Sequence, residues 1–110
     1  MIIINSNTYL NQSLQLEFGQ LPLAFIPING KRLYELQINH LKKKYKNEDI
    51  VIILPKNYHI NDADRIKLFK KKVEILHIDN LKNVYLKIKD LKNFQKGFFS
   101  FFKIVVFKYR

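Results

Sequence analysis

Apolar residues fall along this chain in two alternating rhythms. Short unbroken runs suit strands buried on both faces of a parallel sheet: Met1 to Ile4, Ile50 to Leu54 (stopped by Pro55) and Val73 to Ile78. Between them the spacing becomes helical. Leu10, Leu14 and Phe18 are four apart, so Tyr9 to Phe18 reads as a weak helix that Gly19 ends. Leu33 to Tyr45 reads as a clear helix with Leu33, Leu36, Gln37, His40 and Leu41 on one face. Asn61 with Asp62 and Asp64 reads as the start of another, carrying Ile66, Leu68 and Phe69 and ending in Lys70-Lys71-Lys72. A further stripe runs through Leu81, Val84, Tyr85, Ile88, Leu91 and Phe94, and Phe98 to Phe107 reads as a fourth strand, rich in aromatic and β-branched residues.

Breakers punctuate this pattern. Leu21 to Pro27 is predicted extended, because each proline pushes its predecessor out of the helical region. Asn29-Gly30 is a turn signal, and Asn5-Ser6-Asn7-Thr8 is a cluster of turn and cap formers directly after the first strand. Strand and helix alternation predicts an α/β domain: a mainly parallel sheet with helices on both faces. Its ligand edge is the one where the loops following the strands emerge.

A length of 110 residues suits one domain over residues 1–110, and a hydrophobic fraction of 47% is ample for a core. The chain has no cysteine, which excludes disulfides and thiolate metal sites and leans towards the cytoplasm. No signal-peptide pattern follows Met1, and no apolar run reaches the roughly 20 residues that span a bilayer. The net charge of +11 arises from 20 Lys+Arg against 9 Asp+Glu, and the basic residues are nearly all lysine. Two readings stay open: a coding bias towards lysine on solvated faces, or a footprint for nucleic acid or another polyanion. The lysine runs near Tyr45 and Phe69 would bind single strands only if lysines and aromatics shared an exposed surface, whereas the helical pattern buries the aromatics.

The stretch Leu21-Pro22-Leu23-Ala24-Phe25-Ile26-Pro27-Ile28-Asn29-Gly30-Lys31-Arg32-Leu33-Tyr34-Glu35 resembles the signature of the sugar-phosphate nucleotidyltransferases. The likeness extends from Met1 to about Ile78. Glu17-Phe18-Gly19 and the run from Lys31 to Glu35 also look like divergent relatives linked to capsule biosynthesis. The resemblance implies the nucleotide-binding half of a Rossmann-like nucleotidyltransferase domain, a nucleoside triphosphate as ligand, and magnesium as the family's metal. It places the nucleotide near Asn5, Ser6, Asn7, Thr8, Gly30, Lys31 and Arg32. Each has a plainer reading: Asn5 to Thr8 as a cap and turn, Lys31 and Arg32 as surface charge at a helix start.

The departures from the family are specific. Leu23 stands where the family places a phosphate-neutralising lysine, and no glycine precedes Gly19 in the phosphate loop. The family's magnesium-holding aspartate would follow the strand at Lys103 to Phe107, yet no acid lies beyond Asp90. An incomplete domain without turnover of its own is therefore expected, with residues 96–110 read as a truncated or foreign tail and residues 98–107 as a surface for self-association. His40, His59 and His77 are too scattered for a metal motif. Asp79 would sit on the ligand edge, either touching a ribose or base or serving a turn.

Overall fold

A computed structural model describes residues 1–78 and the backbone of residues 103–105. Four strands form one parallel sheet: β1 (Ile2–Asn5), β4 (Ile50–Pro55), β5 (Val73–Ile78) and β6 (Lys103–Val105). Their order is β5-β4-β1-β6. The small antiparallel pair β2 (Pro27–Ile28) and β3 (Lys31–Arg32) stands apart, and the helices are α1 (Gln12–Phe18), α2 (Leu33–Lys44) and α3 (Asp62–Lys70).

The register is Ile2 to Ile50, Ile4 to Ile52 and Ile52 to Ile75. The period of two then divides the sheet into two apolar faces. Ile2, Ile4, Ile50, Ile52 and Leu54 pack with Tyr34, Ile38 and Leu41 of α2 and Leu68 of α3. Met1, Ile3, Val51, Ile53 and Ile78 form a second buried cluster. Helices α2 and α3 share one face because the chain steps outward twice in the same direction, from β1 to β4 to β5. A crossover of fixed hand keeps consecutive helices on one side when the step direction does not change. The chain then returns to the far side of β1 for β6.

Local signals explain most boundaries. Asn11 caps α1 by accepting from the Leu14 amide at 3.0 Å, and Gly19 closes it at φ 86°. Asn29 and Gly30 have φ 51° and 79°, the twist of a two-residue hairpin turn, which joins β2 to β3. Asn61 caps α3 through the Asp64 amide at 2.8 Å.

Three expectations are corrected. Helix α1 starts at Gln12, not Tyr9, because Tyr9 and Leu10 bridge back to Pro22 and Leu21. Leu21 to Pro27 is not continuously extended: Leu23–Phe25 forms a 3-10 turn, while Ile26 before Pro27 keeps an extended ψ of 130°. The helix faces are also rotated. In α2 the buried side is Leu33, Tyr34, Gln37, Ile38 and Leu41, leaving Leu36 and His40 exposed. In α3 only Asp64 and Leu68 are buried, and Ile66 and Phe69 are exposed. Burying Tyr34 and Ile38 removes more apolar area from water than burying Leu36, and spares His40 its desolvation. The stripe from Leu81 to Phe94, Asp79, and the flanks of β6 within 98–107 lie outside the described residues.

Candidate functional site

The strand order turns back at β1. In open α/β sheets such a reversal opens a crevice at the carboxyl ends of the two diverging strands, here β1 and β6. Asn5 to Thr8 leave β1 at that end. Ser6, buried at 3% exposure, anchors the loop: its amide donates to the Ile53 carbonyl at 2.8 Å, and its hydroxyl accepts from the Ala24 amide at 3.0 Å. Asn5 accepts from the Asn7 amide at 3.4 Å, a local turn contact. With Ser6 so engaged, the exposed side chains of Asn5 and Thr8 are what the loop offers a ligand.

Beneath the loop lies a cavity of about 10 Å³ lined by Ile4, Asn5, Ser6, Leu23, Ala24 and Gln37. That is room for about one water, so an anion at this edge would rest on the loop, not below it. Leu23 contributes an apolar wall here and no charge.

The second half of the predicted site is tied to the first through the 3-10 turn. Ala24 bonds Ser6, and the next residue, Phe25, accepts from Arg32 Nη1 at 2.7 Å through its carbonyl. Arg32 also lies 3.4 Å from the Asp64 carboxylate, and its amide donates to Glu35 at 2.8 Å. The Arg32 guanidinium is thus committed to the fold, joining the hairpin, the 3-10 turn and α3. Gly30 and Lys31 are exposed at the hairpin tip.

Asp64 is read from the sequence as part of a helix start, but its burial and its partners are not. It is 2% exposed and accepts from the Tyr34 hydroxyl at 2.7 Å. Its other oxygen, Oδ2, is buried with no hydrogen-bond partner. Burial and the Asp64 carboxylate push the Tyr34 phenol far above its ordinary range, and burial raises Tyr58 as well. Phe25 packs between these two rings, with centroids 5.1 Å from Tyr34 and 5.2 Å from Tyr58. The detectable signal was Leu68, four residues after Asp64 and therefore on the same helix face.

No family model, curated protein or solved structure matches this chain. The geometry therefore carries the reading alone. Among the described residues no group of three histidines, cysteines or acids is placed to hold a metal. Asp64 faces Tyr34 and Arg32, and the residues following β6 in sequence, Val106 to Arg110, include no acid. His40 and His59 are exposed, and the His77 ring lies 3.1 Å from the Pro55 carbonyl. No helix among the described residues is long and apolar enough to cross a membrane.

Proposed function

We propose that this chain is a divergent relative of the sugar-phosphate nucleotidyltransferases, tied to capsule or surface-polysaccharide precursors, which holds a nucleoside triphosphate without turning it over alone. Its sheet is read as the Rossmann-like nucleotide-binding half of that domain. One observation carries the reading: Asn5 to Thr8 follow β1 at the point where the strand order reverses. The Pro22-to-Leu33 segment that carries the sequence resemblance is bonded to that loop through Ser6 and Ala24. Exposed Asn5, Thr8 and Lys31 would meet the phosphates, while Ser6 and Arg32 hold the loop and hairpin in place. Leu23 leaves developing negative charge unstabilised, so binding without catalysis is expected.

Titration of nucleoside triphosphates into the labelled full chain, followed by amide NMR, tests this. Shifts centred on Asn5 to Thr8 and Gly30 to Arg32 are expected, with no pyrophosphate release above a no-protein control when sugar 1-phosphates and magnesium are added. Shifts absent at millimolar nucleotide, or centred elsewhere, overturn the binding site. Turnover that survives repeated purification overturns the inactive assignment.

A further inference from the structure

Helices α2 and α3 run against the strands on one face of the sheet, so their C-terminal ends meet at the edge opposite the candidate nucleotide loop. Each ends in lysines: Lys42, Lys43 and Lys44 in α2, with Lys46 just beyond, and Lys70 in α3, followed by Lys71 and Lys72. The helix dipole favours cations at each end separately. It does not require the two ends to merge, yet they do. Lys42 Nζ donates to the Lys71 carbonyl, and Lys71 Nζ donates to Asn39 Oδ1 at 3.1 Å. These two bonds join the lysine-rich end of α2 to the lysine run that follows α3. The Glu48 carboxylate near this edge is engaged by the Met1 ammonium at 2.6 Å, and Asp49 beside it is exposed.

An exposed aromatic ring lies beside the α3 lysines. Phe69 is 81% exposed, although apolar side chains of this size gain most from burial. With Lys70, Lys72, Val73 and Glu74 it lines an open groove of about 540 Å³ beside the start of β5. Glu74 is the one acid in that lining. Close by in sequence, Lys44 sits over the Tyr45 ring at 5.6 Å. Lysines alone would suit any polyanion. An exposed ring among them suits a ligand that carries both phosphates and stackable bases.

We propose that this surface binds single-stranded nucleic acid, with Phe69 stacking on a base and Lys43, Lys44, Lys46, Lys70 and Lys72 holding the backbone phosphates. Lysine is a point charge without arginine's bidentate fork, so recognition follows the backbone and is indifferent to sequence. Duplex DNA keeps its base faces stacked inside and gives Phe69 nothing to hold. The surface lies on the edge opposite Asn5 to Thr8, so its failure and that of the nucleotide site are independent.

Fluorescence anisotropy of the full chain with labelled oligothymidylate, at several salt concentrations, tests the proposal. Binding should weaken steeply as salt rises. Phe69→Ala, a change at an exposed position, should weaken single-strand binding roughly tenfold and leave duplex binding unchanged. Lys70→Glu should weaken binding and flatten the salt slope. Lys56→Glu, the same charge change after β4 at the other edge, should leave affinity within about twofold. The proposal is overturned by absent binding at low salt, by a Phe69→Ala variant that binds like the parent, or by equal affinity for duplex and single strand. Equal losses from Lys70→Glu and Lys56→Glu would reduce the effect to net charge. Phe69-dependent binding to phosphatidylserine vesicles in preference to the oligonucleotide would assign the surface to membranes instead.

Discussion

The two edges of the sheet carry charge in opposite ways. At the C-terminal edge, Arg32, Asp64 and Glu35 turn inward and bond to one another, to Tyr34 and to the 3-10 turn. At the N-terminal edge the lysines of α2 and α3 are mostly exposed and bond chiefly to backbone or amide oxygens. A buried charge must be matched by designated partners, and losing one partner is costly. A solvated charge is stabilised by water wherever it points. Buried charge at the first edge therefore holds the fold together, whereas the lysines at the second are held mainly by solvent. The net charge of +11 alone would not separate these roles.

The sharpest way to break that contrast is Asp64→Ala. It removes the shared acceptor of Tyr34 and leaves Arg32 with one partner fewer, and should cost about 3 kcal/mol of stability in urea denaturation. Lys70→Glu at the other edge should stay within about 0.5 kcal/mol. Similar losses from both would show that the edges do not differ in kind.

A smaller effect is expected from Tyr34→Phe, about 1 to 2 kcal/mol, since the buried carboxylate loses its hydroxyl donor but the ring still packs. Tyr34 also sets a pH dependence. Its folded phenol is raised above the ordinary value of 10.0, so the folded state disfavours the phenolate. The associated stability is fully present below about pH 10 and is lost as pH rises above it, because the unfolded chain releases that proton first. Absorbance at 295 nm with parallel circular dichroism should show Tyr34 ionising only as the fold melts, with Tyr58 also delayed by burial. In Tyr34→Phe the alkaline loss should become shallower. An unchanged alkaline profile would remove Tyr34 from this role.

The smallest effect sharpens the comparison within the C-terminal edge. Gly30 sits at φ 79°, and an added Cβ would meet nothing within 4 Å. Gly30→Ala should therefore cost about 1 kcal/mol through backbone strain alone, read as a lowered urea midpoint. A larger loss would mean that the hairpin tip is braced as firmly as Asp64.

Much of this could be read locally. The apolar runs at Ile2 to Ile4, Ile50 to Leu54 and Val73 to Ile78 became strands, and Gly19, Asn29-Gly30 and Asn61 acted as predicted. Such signals are satisfied within a few residues, by a cap bond, a positive φ or an unbroken apolar run. Placing Asn5 to Thr8 after the first strand was also legible, since a parallel sheet leaves that loop at the carboxyl ends of the strands. The rotated faces of α2 and α3 were not. Helical spacing allowed both Leu36 with His40 and Tyr34 with Ile38, and the sheet beneath selected the second pair.

The amino-acid sequence by itself determined the three apolar strands up to Ile78, the helices between them, the signals at Gly19, Asn29-Gly30 and Asn61, and the excess of lysine. Tertiary structure alone decided where charge and aromatic rings face. Asp62 and Asp64 look alike at a helix start, yet only Asp64 is buried, because it lies one turn before Leu68 on the side packed towards Tyr34. Leu68 and Phe69 are neighbours in an apolar pair, yet one is fully buried and the other 81% exposed. Successive helical residues point about 100° apart, so a sheet can cover one of them and leave the next in water.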